Sequence, residues 1–207
     1  MEDGAILLTL FNGGIRNDEQ EHLAKLLRKK SQILVAFGAC AIEGGIPALG
    51  NLATKEEIFE TAYSTISTEN PDNVYPVPSY EVPEGTITIP YFQPVLRSLD
   101  QVVDVDYYMP GCPPESHQIA AVIDLVISVV AGEAALPPKG AVIGVGDSTV
   151  CDECERTRNV KKISGFKRVQ EVETIDKELC LLEQGIVCNG PATASGCLAK
   201  CPAASAP

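Results

Sequence analysis

The chain has 207 residues, 45% of them apolar, which is enough for one ordinary domain with an appended module and too much for intrinsic disorder. A formal net charge of −12 argues against a nucleic-acid binder, because that affinity rests on Lys and Arg neutralising phosphates. The longest apolar stretch, Ile119 to Ala131, contains Asp124 and is too short for a bilayer span, and Met1-Glu2-Asp3-Gly4 lacks the basic start of a secretory signal; no membrane association and a cytoplasmic location are expected.

Ala5 to Phe11 is a continuous apolar run ending at Asn12-Gly13-Gly14, the pattern of a strand buried on both faces. A helix follows from Asp18 to Lys30, where Asn17 can cap, Gln20 sits three residues on, and Leu23, Leu26 and Leu27 form an apolar stripe. Its last turn carries Arg28, Lys29 and Lys30, which suit the negative end of the helix dipole. A second buried strand, Gln32 to Phe37, runs into Gly38-Ala39-Cys40 and places Cys40 at a strand's carboxyl end, where open parallel sheets bind their ligands. Gly38, Gly44 and Gly45 fit close approach of the backbone to a bulky group, and equally an ordinary tight turn. Thr54 with Glu57 forms a capping box for a helix to about Tyr63, and Ser64 to Pro94 reads as a long excursion outside the core. Val102, Val103 and Val105 lead through Asp106 to Met109, a third strand ending in Pro110-Gly111-Cys112-Pro113-Pro114. The next helix, Glu115 to about Gly132, is apolar on both sides and is expected to be buried against the sheet. This is an α/β pattern over residues 1–140, closed by Pro137-Pro138-Lys139-Gly140, with a cysteine-rich module over 141–207.

Six of the eight cysteines, Cys151, Cys154, Cys180, Cys188, Cys197 and Cys201, fall in that module. In a reducing compartment such clustering points to metal or redox chemistry rather than disulfides, the bland alternative being buried free thiols acting as small hydrophobes. The spacing is Cys151-x2-Cys154-x25-Cys180-x7-Cys188, then Cys197-x3-Cys201. Four thiolates satisfy either a tetrahedral zinc or one iron–sulfur cluster, and a single close pair followed by irregular spacing departs from a zinc ribbon's two close pairs. Gly190, Pro191, Gly196 and Pro202 resemble the small-residue packing that lets backbone N–H groups reach cluster sulfurs. Six basic residues between Arg156 and Arg168 read as a solvated positive strip, with docking to an acidic partner the alternative. His22 reads as solvated, and His117 as a helix-capping or surface residue that could border a cofactor. Neither forms a nucleophilic dyad, Gly140 to Gly146 lacks the Lys-Ser/Thr of a phosphate-binding loop, and no catalytic residue is assigned.

Leu10-Phe-Asn-Gly-Gly-Ile-Arg-Asn17, Val35-Ala-Phe-Gly-Ala-Cys-Ala-Ile-Glu-Gly-Gly-Ile-Pro47, Leu99-Asp-Gln-Val-Val-Asp-Val-Asp106 and Pro110-Gly-Cys-Pro-Pro114 resemble the small subunit of [NiFe] hydrogenases, within the group that includes the 20 kDa subunit of NADH:ubiquinone oxidoreductase. Cys151-Asp-Glu-Cys154, Cys180-Leu-Leu-Glu-Gln-Gly185 and Cys188-Asn-Gly-Pro-Ala-Thr-Ala-Ser-Gly-Cys197 are similar to the cytoplasmic, viologen-reducing, F420-non-reducing branch.

The resemblance implies a flavodoxin-like domain holding a proximal [4Fe-4S] cluster at its strand-end cysteines, followed by a module holding two more. The family's proximal cluster takes ligands from an early CxxC, a GxC turn and a PGCPP turn; Cys40 and Cys112 match the last two, and no CxxC precedes them here. Cys151, Cys154, Cys180 and Cys188 match a complete distal set, with Cys151 where periplasmic relatives use histidine, and Cys197 with Cys201 match half of a medial set. One complete ligand set out of up to three clusters suggests a chain truncated at both ends. The implied role is electron transfer from hydrogen oxidation at a separate [NiFe] large subunit to a heterodisulfide-reductase-type or other cytoplasmic iron–sulfur acceptor. The alternative is a shortened paralogue that binds one cluster or zinc as a scaffold or electron carrier.

Overall fold

A computed structural model describes residues 1–206, which form two compact units. The first comprises Met1–Pro113 and Pro137–Ile143. It runs through β1 (Ile6–Asn12), β2 (Ile15–Asn17), α1 (Asp18–Lys30), β3 (Ser31–Phe37), α2 (Ala39–Glu43), a 3-10 segment (Ile46–Leu52), α3 (Lys55–Tyr63), β4 (Ser79–Val82), β5 (Gly85–Thr88), β6 (Phe92–Arg97) and β7 (Tyr107–Met109).

The apolar runs make a parallel sheet in the order β1-β3-β7, with Leu8 opposite Ile33 and Phe37 opposite Met109. Its core gathers Phe11, Ile15, Ala24, Leu34, Ala36, Ala41 and Leu99. Helix α1 has both halves of its predicted capping box: Asn17 Oδ1 accepts from the Gln20 amide at 2.8 Å and Gln20 Oε1 accepts from the Asn17 amide at 3.1 Å. The predicted stripe shifts by part of a turn. Ala24 is buried and Leu27 packs on the core, whereas Leu23 and Leu26 are 45% and 41% exposed, so small Ala24 sets the closest approach to the sheet. Asp106 joins helix to sheet, accepting from Arg28 Nη1 at 2.6 Å, the Leu34 amide at 2.9 Å and Lys139 Nζ at 2.7 Å.

Three expectations change. The excursion from Ser64 contains the β4–β5 hairpin and ends in β6, which pairs antiparallel with β2; Pro94 and the brevity of β2 conceal the pairing in the sequence. Val102, Val103 and Val105 lie outside the third strand, in a turn where the Val102 and Val103 amides donate to Leu99 O; they pack on the core from there. Helix α4 (Ser116–Val130) buries only Gln118 and Val122, and Ile123, Ile127 and Val130 are 43%, 60% and 66% exposed. An all-round apolar composition sets no single face, and the remaining stripes of this helix stay in the open.

The second unit comprises Pro114–Leu136 and the residues from Gly144 on. Apart from α4, its described residues form two four-residue helices, α5 (Val150–Glu153) and α6 (Lys200–Ala203), with short 3-10 turns and isolated bridges. Val122, Val150, Leu181, Ile186 and Ala199 are among its buried apolar residues. Among the described residues no helix is long and apolar enough to cross a membrane.

Candidate metal centre

In the second unit, Thr149 caps α5: its amide and hydroxyl donate to Asp152 Oδ2 at 3.0 and 3.1 Å. That short turn presents Cys151 within it and Cys154 as its C-cap. The Cys180 amide donates to Thr157 O at 2.9 Å, and buried Leu181 anchors the following turn. Cys188 follows Val187, whose amide donates to Lys167 O at 2.9 Å. These separate local structures bring Cys151, Cys154, Cys180 and Cys188 to the wall of one cavity, with Val150, Leu181, Pro191 and Pro202 as apolar lining.

The four thiols do not close around a single ion. Among the described residues no three Cys, His, Asp or Glu side chains converge enough to hold a single metal, whereas tetrahedral zinc gathers its sulfurs to about 2.3 Å. At Gly190 a Cβ would lie 3.4 Å from Cys151 Sγ and 3.5 Å from Cys188 Sγ, inside the space between the thiols. The Gly190 amide already donates to Cys188 Sγ at 3.4 Å, the kind of contact that tunes a cluster sulfur. A four-thiol donor set around such a space fits an iron–sulfur group. Burial pushes the Cys151 thiol up from its ordinary value; a hydrogen bond from Thr149 and the Arg158 charge oppose this, and neighbouring Cys188 and Cys154 reinforce it.

Arg156 forms part of the same wall and is 7% exposed. Its Nε donates to Pro202 O at 2.9 Å, Nη1 to Asp176 O and Leu179 O at 2.6 and 2.9 Å, and Nη2 to Ser205 Oγ at 2.8 Å. One guanidinium thus ties the Cys180 turn to α6, which carries Cys201. All four acceptors are neutral, so no carboxylate neutralises this buried charge in the cavity wall. This corrects the reading of the basic segment as wholly solvated: Arg156 is structural, while Arg158, Lys161, Lys162, Lys167 and Arg168 are exposed.

Cys197 and Cys201 do not line that cavity. The Glu153 carboxylate accepts from the Gly196 amide at 2.8 Å and the Leu198 amide at 3.0 Å, gripping the turn on both sides of Cys197. His117 Nε2 bonds Gly196 O at 2.8 Å, a packing contact at the same turn, and His22 is exposed. Glu153 and Arg156 were invisible to spacing rules because both act on backbone groups about 20 to 50 residues away.

In the first unit, β3 and β7 lie side by side, and their carboxyl ends are tied by Gly38 N–H to Met109 O and Ala39 N–H to Gly111 O, both 2.8 Å. Cys40 and Cys112 follow these tied turns, half-buried and exposed respectively, at the ends of adjacent parallel strands. Gly45, at φ +51°, folds back on Cys40; a Cβ there would stand 3.0 Å from Cys40 Sγ. The 3-10 segment beyond it exposes Ile46, Leu49 and Leu52 at 70%, 63% and 87%.

Residues 2–126 match the family described as NADH ubiquinone oxidoreductase, 20 Kd subunit. The iron-sulfur subunit of the F420-non-reducing hydrogenase of Archaeoglobus profundus is 44% identical, over 98% of this chain and 63% of its own length. A subunit of the vhu F420-non-reducing hydrogenase of Methanocaldococcus jannaschii is 43% identical, over 96% of this chain and 61% of its own length. The chain therefore spans about three fifths of the length of these curated relatives. A chain of the NAD+-reducing [NiFe]-hydrogenase crystal structure in the H2-reduced state superposes with a TM-score of 0.52 at 30% identity, covering 66% of this chain and 71% of that one. That likeness accords with the mixed α/β fold and its parallel sheet.

Proposed function

The chain belongs to the NADH ubiquinone oxidoreductase 20 kDa subunit family, and from that membership we propose that it is the electron-transfer subunit of a [NiFe] hydrogenase. In this reading it relays electrons from hydrogen oxidation at a separate large subunit to a heterodisulfide-reductase-type or other cytoplasmic acceptor. The observation that carries the reading is the convergence of Cys151, Cys154, Cys180 and Cys188 on one cavity, in a chain whose relatives are named as hydrogenase subunits.

A [4Fe-4S] group held by those four thiolates supplies one-electron storage at a potential set by ligands, burial and nearby charge. The residues of the chain do the rest. The Gly190 amide donates to a ligand sulfur, and Arg156 and Arg158 place positive charge in the wall, which favours thiolates and the more negative oxidation state. Cys40 with Cys112, and Cys197 with Cys201, are assigned as partial ligand sets of a proximal and a medial cluster. The corresponding domains are assigned as residues 1–140 and 141–207, although Pro114–Leu136 belongs to the second compact unit. Catalysis of hydrogen cleavage is assigned to the partner.

Exposed Ile46, Leu49 and Leu52, next to Cys40 in the chain, supply an apolar surface suited to the large subunit. Production of the chain together with a [NiFe] large subunit from one of its relatives tests the reading. The expected result is a stable complex, lost on Leu49→Glu/Leu52→Glu substitution. A monomer with no affinity for that subunit would contradict it.

A further inference from the structure

Beside the four-thiol cavity lies an open cleft, sharing Cys151, Arg156, Arg158, Cys180, Leu182 and Pro191 with it and extended by Lys161, Lys162 and Ile163. In a chain of net charge −12 this cleft concentrates cations. Among the described residues Arg156, Arg158, Lys161 and Lys162 form no ion pair. The carboxylate in the wall, Glu183, is turned to the backbone: it accepts from the amides of Asn159, Val160 and Lys161 at 3.0, 3.0 and 2.5 Å. That clasp fixes the loop carrying the lysines, and the cleft wall holds four cations against this one carboxylate.

We propose that this cleft is the docking surface for an acidic one-electron carrier protein, with Arg158, Lys161 and Lys162 as its cationic rim. The inference rests on the electron-transfer reading above and specifies its exit face. One electron moves from the four-thiolate centre, which is oxidised, to the carrier, which is reduced; no bond changes and no proton moves. Two observations favour a protein over a small anion. The three successive amides that could cradle a phosphate are already occupied by Glu183. The same segment exposes Val160, Ile163 and Phe166 at 72%, 49% and 80%, so apolar contact area lies beside the charged rim, as at protein interfaces. Complementary charge of this kind steers encounter and weakens with salt.

The test uses the full chain, anaerobically loaded with iron and sulfide, and an acidic plant-type [2Fe–2S] ferredoxin as probe. Calorimetric titration at low salt is expected to show binding that weakens at about 0.5 M salt, beyond the range of surface Coulomb attraction. Lys161→Glu/Lys162→Glu is expected to raise Kd about tenfold or more, while Lys29→Glu/Lys55→Glu, an equal charge change in the first unit, leaves it within about threefold. Salt-independent binding, an unchanged Kd in the Lys161/Lys162 variant, or uptake of inorganic pyrophosphate without ferredoxin binding overturns the proposal. Stopped-flow reduction of ferredoxin and of a zwitterionic viologen by the loaded chain, first reduced with one equivalent of dithionite, separates this inference from its premise. Viologen reduced without ferredoxin binding sinks the docking surface alone, whereas ferredoxin bound but neither acceptor reduced sinks the electron-transfer reading.

Discussion

Asp106 is almost fully buried and receives two cationic side chains and an amide. Burial pushes its carboxyl up, and Lys139, Arg28 and the Leu34 amide together outweigh that and hold it below the ordinary carboxylate range. Its contribution is therefore fully present above the unfolded value near 4 and is lost as pH falls through the lower folded value. Asp106→Asn is expected to cost about 1–2 kcal/mol at pH 7 and to flatten the acid limb of stability below about pH 4, measured by urea unfolding across pH. An unchanged acid limb would assign acid unfolding to other carboxylates. Glu21, held down to about 2 by Lys25, Gln93 and Arg97, is the control group in the same window. In the second unit Arg156→Met removes the guanidinium bonds to Pro202 O, Asp176 O, Leu179 O and Ser205 Oγ, while Gln184 Nε2 still donates to Asp176 O and Leu179 O and the Ser205 amide to Pro202 O, and it is expected to cost about 1–2 kcal/mol by the same measurement; an effect below about 0.5 kcal/mol would mean that the guanidinium does not brace the turns. The two residues differ in legibility. The cysteines announce themselves by type and spacing, but Asp106, Arg156, Glu153 and Glu183 are ordinary surface types whose partners are backbone atoms or side chains far along the chain, and no local pattern marks them.

Elements with a strong local signal were readable. Asn17 with Gln20 and Thr54 with Glu57 fix where α1 and α3 begin, and the apolar runs fix β1 and β3 within one residue of their observed starts. The β2–β6 pair escaped because Ile15–Asn17 is too short to alternate and Pro94 interrupts Phe92–Arg97. The outward stripes of α4 escaped because composition carries no direction. In the cysteine-rich unit, turns do the work that elements do elsewhere, and the Glu153 clasp is a test of that. Glu153→Ala is expected to speed hydrogen exchange at the Gly196 and Leu198 amides, while the Gly185 amide, bonded to Leu182 O, stays protected. Equal speeding at all three would mean that the unit opens as a whole rather than at the Cys197 turn.

At the scale of the molecule, the two units carry different kinds of site. The first places Cys40 and Cys112 on adjacent turns at the carboxyl ends of β3 and β7. The second, poor in regular structure, surrounds a cavity with four thiols and a buried cation. Its apolar core is small, so a bound group that crosslinks Cys151, Cys154, Cys180 and Cys188 would stabilise the folded state by linkage. The most direct measurement is anaerobic iron and sulfide loading of the full chain, with metal analysis and low-temperature EPR after one-electron reduction, on the parent and on Cys180→Ser/Cys188→Ser. The expected result is brown protein with about four irons and four sulfides for the complete cysteine set and a reduced-cluster signal that disappears in the double variant. Colourless protein carrying zinc, or a signal that survives loss of both cysteines, would contradict the assignment of that cavity as the cluster site.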